Sequence, residues 1–283
     1  MSAQTNIPKI IHYCWFGGNP LPESAQKYIE SWKKHCPDYV IKEWNESNFD
    51  LTSNAYVQEA FEAKKWAFIT DYVRLHAMVT EGGIYMDTDV EVTKPLDEFL
   101  QLQAFSGFED GESVPTGIMA CEKGFPLFAE MLHDYDNRHF KLEDGSYDIT
   151  TNVVTITDIC KKKGLVSNNQ KQTIEGFTIF PKDWFCPKDY TSGKIILTKN
   201  THAIHHFSGS WHDPYTRRIM SVERFFKGKL KGKPGNAAAR IASLPFRVHK
   251  KLHELGLKGT IAFTFRKLKG EKSSDGRHVK TKL

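Results

Sequence analysis

The segment Gly83-Ile84-Tyr85-Met86-Asp87-Thr88-Asp89-Val90 sets two carboxylates at alternate positions of an apolar run. Extended backbone with a period of two sends Tyr85, Asp87 and Asp89 to one face and Ile84, Met86 and Val90 to the other. Carboxylates this close repel each other and cost desolvation energy unless something positive sits between them. A divalent metal carrying a diphosphate meets that need, which points to sugar-nucleotide chemistry.

The elements that would position this pair are legible upstream. Ile7–Phe16 reads as a buried first strand stopped by Gly17-Gly18-Asn19-Pro20, and Pro22 to Cys36 as a helix with Ala25, Tyr28, Ile29 and Trp32 at helical spacing. Val40–Trp44 reads as a second strand. A helical stretch runs from about Tyr56 to Thr80, broken near Lys64-Lys65 and ended by Gly82-Gly83. Strand, helix, strand, helix, strand implies an α/β sheet with crossover connections, whose ligands gather at the carboxyl ends of strands. Trp15 and the two aspartates fall there. Further on, short apolar stretches stand at Ala104–Phe108, Gly117–Cys121, Ile174–Phe180 and Ile195–Thr198, with helices expected near 125–138 and 151–163.

Two other uses of an Asp-x-Asp fit this sequence less well. A solvated acidic loop would not be flanked by apolar residues. Phosphatases of the haloacid dehalogenase type carry the motif on their first strand and place Thr or Val two residues after the second Asp; here the motif is on the third strand and Glu91 stands at that position.

Ile7–Gly18, the Ala67–Arg74 stretch and Gly82–Asp89 together resemble glycosyltransferase family 32, and the similarity resumes at His205–Trp211. The resemblance implies a GT-A nucleotide-sugar fold over residues 1–216, a Rossmann-like mixed sheet flanked by helices. It also implies a metal-dependent transfer that retains anomeric configuration. By resemblance Trp15 stacks on the uracil of a UDP-sugar, with core packing the plain alternative. Asp71 and Arg74, three apart on one helix face, reach the donor; as a bare i,i+3 surface pair they would be worth only tenths of a kcal/mol. Tyr85 and Asp87 line the donor pocket, Asp89 binds Mn²⁺ or Mg²⁺ directly, and Asp87 helps hold the ion partly through water. In His202–Trp211, His206 is the expected metal ligand with His205 the alternative, and Ser210 and Trp211 contact phosphate. No carboxylate stands out as a nucleophile, which suits front-face attack assisted by the leaving phosphate. Glu109, Asp110 and Asp148 are candidates for acceptor contact.

The five cysteines lack any CxxC, which suits reduced thiols in a cytosolic compartment. No basic-apolar signal precedes Ile7, and no apolar run approaches the roughly 20 residues needed to span a bilayer. Charge is unevenly spread: residues 217–283 hold 19 Lys and Arg against 4 Asp and Glu, whereas the rest hold 20 against 30. Residues 217–269 therefore read as a basic amphipathic helical extension, with Gly232–Gly235 a break, Pro245 a kink and Gly256 a stop, and 270–283 as a disordered tail. The favoured role for the extension is adhesion to an anionic inner membrane leaflet near a lipid-linked oligosaccharide acceptor. Nucleic acid would use the same charges but lacks a motif or stacking platform here, and a simple solvated basic face is the plain alternative. The expected activity is transfer of a hexose or N-acetylhexosamine in capsule, exopolysaccharide or O-antigen synthesis. Alternatives are toxin-like glycosylation of a protein, or a non-catalytic membrane- or nucleic-acid-associated protein with a decayed site.

Overall fold

The computed structural model describes residues 6–209, 213–230 and 232–268. Strands β1 (Ile10–Cys14), β2 (Val40–Trp44) and β3 (Gly83–Met86) run parallel, with β1 in the middle. Helix α1 (Glu23–His35) joins β1 to β2, and α2 (Ala55–Glu62) and α3 (Trp66–Glu81) join β2 to β3. The expected break between α2 and α3 lies at Lys64, whose φ of +54° leaves the helical region. At the end of α3 a Cβ on Gly82 would stand 2.6 Å from the Lys123 backbone nitrogen, and one on Gly83 2.7 Å from the Ile10 carbonyl. That crowding is why two glycines lead into β3.

The strand expected through Asp89 stops at Met86. Asp87-Thr88-Asp89 is a turn closed by Val90 N–H donating to Asp87 O at 3.0 Å, and the chain re-enters extended structure as β4 (Val90–Val92). Beyond it lie β5 (Ala104–Gly107), β6 (Ile118–Cys121), α4 (Pro126–His133), α5 (Asn152–Lys162), β7 (Gln172–Ile174), β8 (Phe177–Phe180) and β9 (Ala203–His205). The Ile174–Phe180 stretch thus holds the end of β7, a two-residue hairpin turn and β8, while Ile195 makes an isolated bridge to Lys188. The main sheet has seven strands in the order β2-β1-β3-β6-β5-β8-β7, with β6 and β7 antiparallel to their neighbours, and β4 pairs antiparallel with β9 apart from it. This is the mixed, helix-flanked α/β sheet expected from the sequence.

The alternation in β3 is realised. Tyr85 packs into the layer under α2–α5, and Ile84 and Met86 pack into the opposite layer with Trp32, Val90 and Phe105. From that second layer Trp32 of α1 donates its indole N–H to Val90 O at 2.7 Å, fixing the start of β4.

The chain divides into two compact units, one of residues 1–189 with 195–208 and one of 190–194 with 209–283. The second is built on α6 (Pro214–Lys229) and α7 (Gly232–Leu268). Asp213 caps α6 by accepting from Thr216 N–H at 2.9 Å. Pro245 lies within α7, and at Gly256 (φ +66°) the backbone leaves helical geometry before the helix resumes, so that glycine is an interruption and not a stop. The tail expected to be disordered, 270–283, lies outside the described residues.

Candidate active site

Adjacent strands β1 and β3 end on the same edge of the sheet, placing Trp15 and Asp87 side by side in the fold. The antiparallel strand β6 begins on that edge, and Gly117 O there accepts from Asp87 N–H at 2.8 Å. Strand β9 brings in the third component. Its register pairs His205 with Val90, so the imidazole arrives beside Asp89. His205 Nε2 lies 3.3 Å from Asp89 Oδ1 and 3.9 Å from Asp87 Oδ2. One ligand atom from each of Asp87, Asp89 and His205 lies within 4.8 Å of the others.

His206 is not in this cluster. Successive residues of an extended chain point to opposite sides, and its Nε2 instead meets Glu91 Oε2 at 2.8 Å while its ring stacks on Tyr28 at 4.6 Å. It is His205, the alternative, that lies with the two aspartates, while the favoured His206 does not. Gly117 makes room for His205, because a Cβ there would stand 2.9 Å from the His205 ring.

Each member is held by neighbours. Asp89 Oδ2 accepts from Ser208 N–H at 2.7 Å and lies 2.9 Å from Ser208 Oγ, leaving Oδ1 toward His205. Burial alone would raise the Asp89 carboxyl, but His205 and the two Ser208 hydrogen bonds outweigh it and hold it well below the usual carboxylate range. Burial likewise opposes charge on His205, yet Asp89 wins and lifts the imidazole well above its ordinary value. The Cys186 side chain adds to that rise, and His205 Nδ1 lies 3.9 Å from Glu109 Oε1. Burial raises the Glu109 carboxyl, with His205 opposing the shift.

Asp87 is braced from below. Tyr85 donates its hydroxyl to Asp87 Oδ1 at 2.9 Å, and Arg74 Nη1 lies 3.2 Å from the same oxygen. Arg74 is only 5 % exposed. It donates to Thr116 O at 2.7 Å, to Thr70 O and Thr70 Oγ1 at 3.1 Å, and its guanidinium sits over the Tyr85 ring. Its Nη2 is 3.2 Å from Asp71 Oδ1, whose carboxyl burial lifts to about 6, with Arg74 offsetting part of the shift. Asp71, Arg74 and Tyr85 were expected to face the donor; in this geometry they form a buried support under Asp87. Trp15 is half-buried at the end of β1 and donates its indole N–H to Asn19 O at 2.6 Å. Among the acceptor candidates, Glu109 reaches the cluster, whereas Asp148 pairs with Arg138 at 2.6 Å and Asp110 accepts from the amides of Glu112 and Ser113 in its own loop. Ser210 and Trp211 lie outside the described residues.

Two carboxylates and one imidazole, with water and phosphate oxygens free to complete the shell, suit a hard divalent ion of the Mn²⁺ or Mg²⁺ kind. His205 would have to shed its proton to join them. Sequence reasoning gave no weight to Ser208 or Gly117, whose roles depend on segments far apart in the chain.

Residues 22–106 match the family described as glycosyltransferase sugar-binding region containing DXD motif. The resemblance to glycosyltransferase family 32 is borne out over that stretch, which includes Asp71, Arg74, Asp87 and Asp89. Inositol phosphoceramide mannosyltransferase 3 of Schizosaccharomyces pombe is 27 % identical over 146 residues, covering 47 % of this chain and 40 % of its own length. An uncharacterized glycosyltransferase of Acanthamoeba polyphaga mimivirus is 27 % identical over 156 residues, 52 % of this chain and 60 % of that protein. The chain thus spans about half the length of these relatives. Among solved structures, PaToxG glycosyltransferase aligns over 56 % of this chain and 70 % of its own at 19 % identity, with a TM-score of 0.44. The galactosyltransferase LgtC aligns over 80 % and 97 % at 16 % identity, with a TM-score of 0.37.

Proposed function

Taking the DXD sugar-binding region as premise, we propose that the protein is a metal-dependent glycosyltransferase that moves a hexose or N-acetylhexosamine from a UDP-sugar to a saccharide acceptor. The observation that carries this reading is the convergence of Asp87, Asp89 and His205 at the strand-end edge beside Trp15. Mn²⁺ or Mg²⁺ held by these three would neutralise the charge that develops on the departing UDP.

The protein's own part is orientation. Arg74 and Tyr85 hold Asp87, Ser208 holds Asp89, and Gly117 lets His205 approach. Trp15 offers an aromatic face to the uracil. Transfer with retention breaks the bond from the anomeric carbon to phosphate oxygen and forms one to the acceptor oxygen on the same face. The acceptor proton passes to the leaving phosphate, so no protein nucleophile is required. The acceptor is lipid-linked, and the setting is capsule, exopolysaccharide or O-antigen assembly on the cytoplasmic face of a bacterial plasma membrane.

A thermal-shift screen of nucleotide sugars with and without Mn²⁺ tests the donor assignment. Ligand at a hundredfold its Kd stabilises the native state by about 2.7 kcal/mol, enough to raise Tm by roughly 5 °C in a protein of this size. The expected outcome is a rise with one or more UDP-sugars that depends on Mn²⁺. A rise confined to other nucleotides would replace the donor class.

A further inference from the structure

The second unit carries an apolar row that nothing in the transfer reaction uses. On α7, before Gly256, Ile241 is 73 % exposed, Leu244 57 %, Val248 45 % and Leu255 44 %. At 3.6 residues per turn these four fall within an arc of about 60°. The face that packs on α6 is elsewhere on the helix, where Ala239 and Ser243 are fully buried and Ser243 donates to Glu223 at 3.0 Å. Between the two faces lie Arg240, Arg247 and Lys251, along one flank of the row. Arg247 reaches Glu223 on α6, and Lys251 pairs with Glu254 one turn further along α7. Residues 213–268 hold 14 Lys and Arg against 3 Asp and Glu.

Charge and apolarity together choose the occupant. A second copy would bring another strongly cationic surface against this one, and the two would repel. Nucleic acid would satisfy the cations but leave the apolar row in water. No helix among the described residues is long and apolar enough to cross a membrane. A helix with an apolar row flanked by Arg and Lys instead suits the boundary between headgroups and acyl chains of an anionic bilayer, where long cationic side chains reach back to phosphate.

We propose that Ile241, Leu244, Val248 and Leu255 form an interfacial anchor by which α7 lies in the headgroup region of an anionic phospholipid surface. The anchor deepens the reading of a lipid-linked acceptor, on which its purpose rests, although the binding itself involves no nucleotide sugar. Charge brings the helix to the surface and the apolar row holds it there.

The test is sedimentation of the full-length protein with vesicles of phosphatidylcholine, alone or with about one-third phosphatidylserine. The wild type is expected to sediment with the anionic vesicles far more than with the neutral ones. The double variant Leu244→Lys, Val248→Lys adds positive charge while removing apolar surface. It should bind the anionic vesicles about tenfold more weakly or worse, and equal or stronger binding would overturn the anchor. Both side chains are exposed, so helix content by circular dichroism should hold; Leu244→Gln, Val248→Gln supplies the same comparison without added charge, with the same expected loss. Failure of the wild type to bind anionic vesicles overturns the proposal. So does duplex DNA or RNA binding of comparable affinity that survives both double variants. UDP release measured without vesicles reports separately on the transferase reading, so either reading can fail while the other stands.

Discussion

Asp87 and Asp89 sit two residues apart but are held by different neighbours, and this assigns them different work. Asp89 shares its oxygens between Ser208 and His205, while Asp87, more exposed, rests on Tyr85 and Arg74. Arg74 is the residue whose loss should be felt most in stability, because it is a buried cation set between Asp71 and Asp87. Removing one partner of a buried ion pair commonly costs about 3–5 kcal/mol, since the remaining charge is left without compensation. Arg74→Met should therefore lower the denaturation midpoint strongly as well as abolish activity, whereas Asp89→Asn should lose activity with a folded protein. Urea denaturation followed by fluorescence distinguishes the two; equal stability of Arg74→Met and wild type would contradict the buried support. The assignment of His205 is tested by Mn²⁺ titration calorimetry in the presence of UDP. His205→Ala should weaken binding by at least about tenfold and His206→Ala by much less, and the reverse ranking would restore His206.

At the scale of elements, the site exists because strands far apart in sequence meet beside one edge of the main sheet. The parallel pair β1 and β3 supplies Trp15 and the DXD turn, β6 supplies the floor at Gly117, and β9 delivers His205 against Val90. The first of these was legible in the sequence, since buried strands, an amphipathic helix and paired glycines leave local periodic signals. Pairing of β4 with β9, more than a hundred residues apart, leaves none. Without that register the choice between His205 and His206 stays open, because alternation says only that the two face opposite ways. The same limit hid the burial of Arg74: helical spacing placed it on the face of Asp71 but could not say that Thr116 would close over it. It also ran the strand through Asp89, where the chain in fact turns at Thr88. Gly117 gives a prediction at this scale. Gly117→Ala places a Cβ 2.9 Å from the imidazole, so His205 must move. Overpacking of this kind costs typically about 1–3 kcal/mol, and Mn²⁺ affinity should fall with it while the sheet remains intact by circular dichroism. Unchanged affinity would show that His205 is not a ligand or that its ring position is not set by Gly117.

In the molecule as a whole, acidity and basicity are parted along the chain. The unit that holds the DXD turn is net acidic outside the ligand cluster, and the helical pair that follows is net basic. The distribution of charge along the sequence shows this asymmetry, and the anchor proposed on α7 would give it a physical use. We propose that a divalent ion at Asp87, Asp89 and His205 lets UDP depart. The most direct measurement is UDP release from the UDP-sugar that the screen selects, comparing wild type with Asp89→Asn in Mn²⁺ and in chelator. The account predicts release by the wild type in Mn²⁺, its loss in chelator, and none above background from Asp89→Asn although that variant is folded. Release that persists undiminished in Asp89→Asn, or in wild type without a divalent ion, would contradict it.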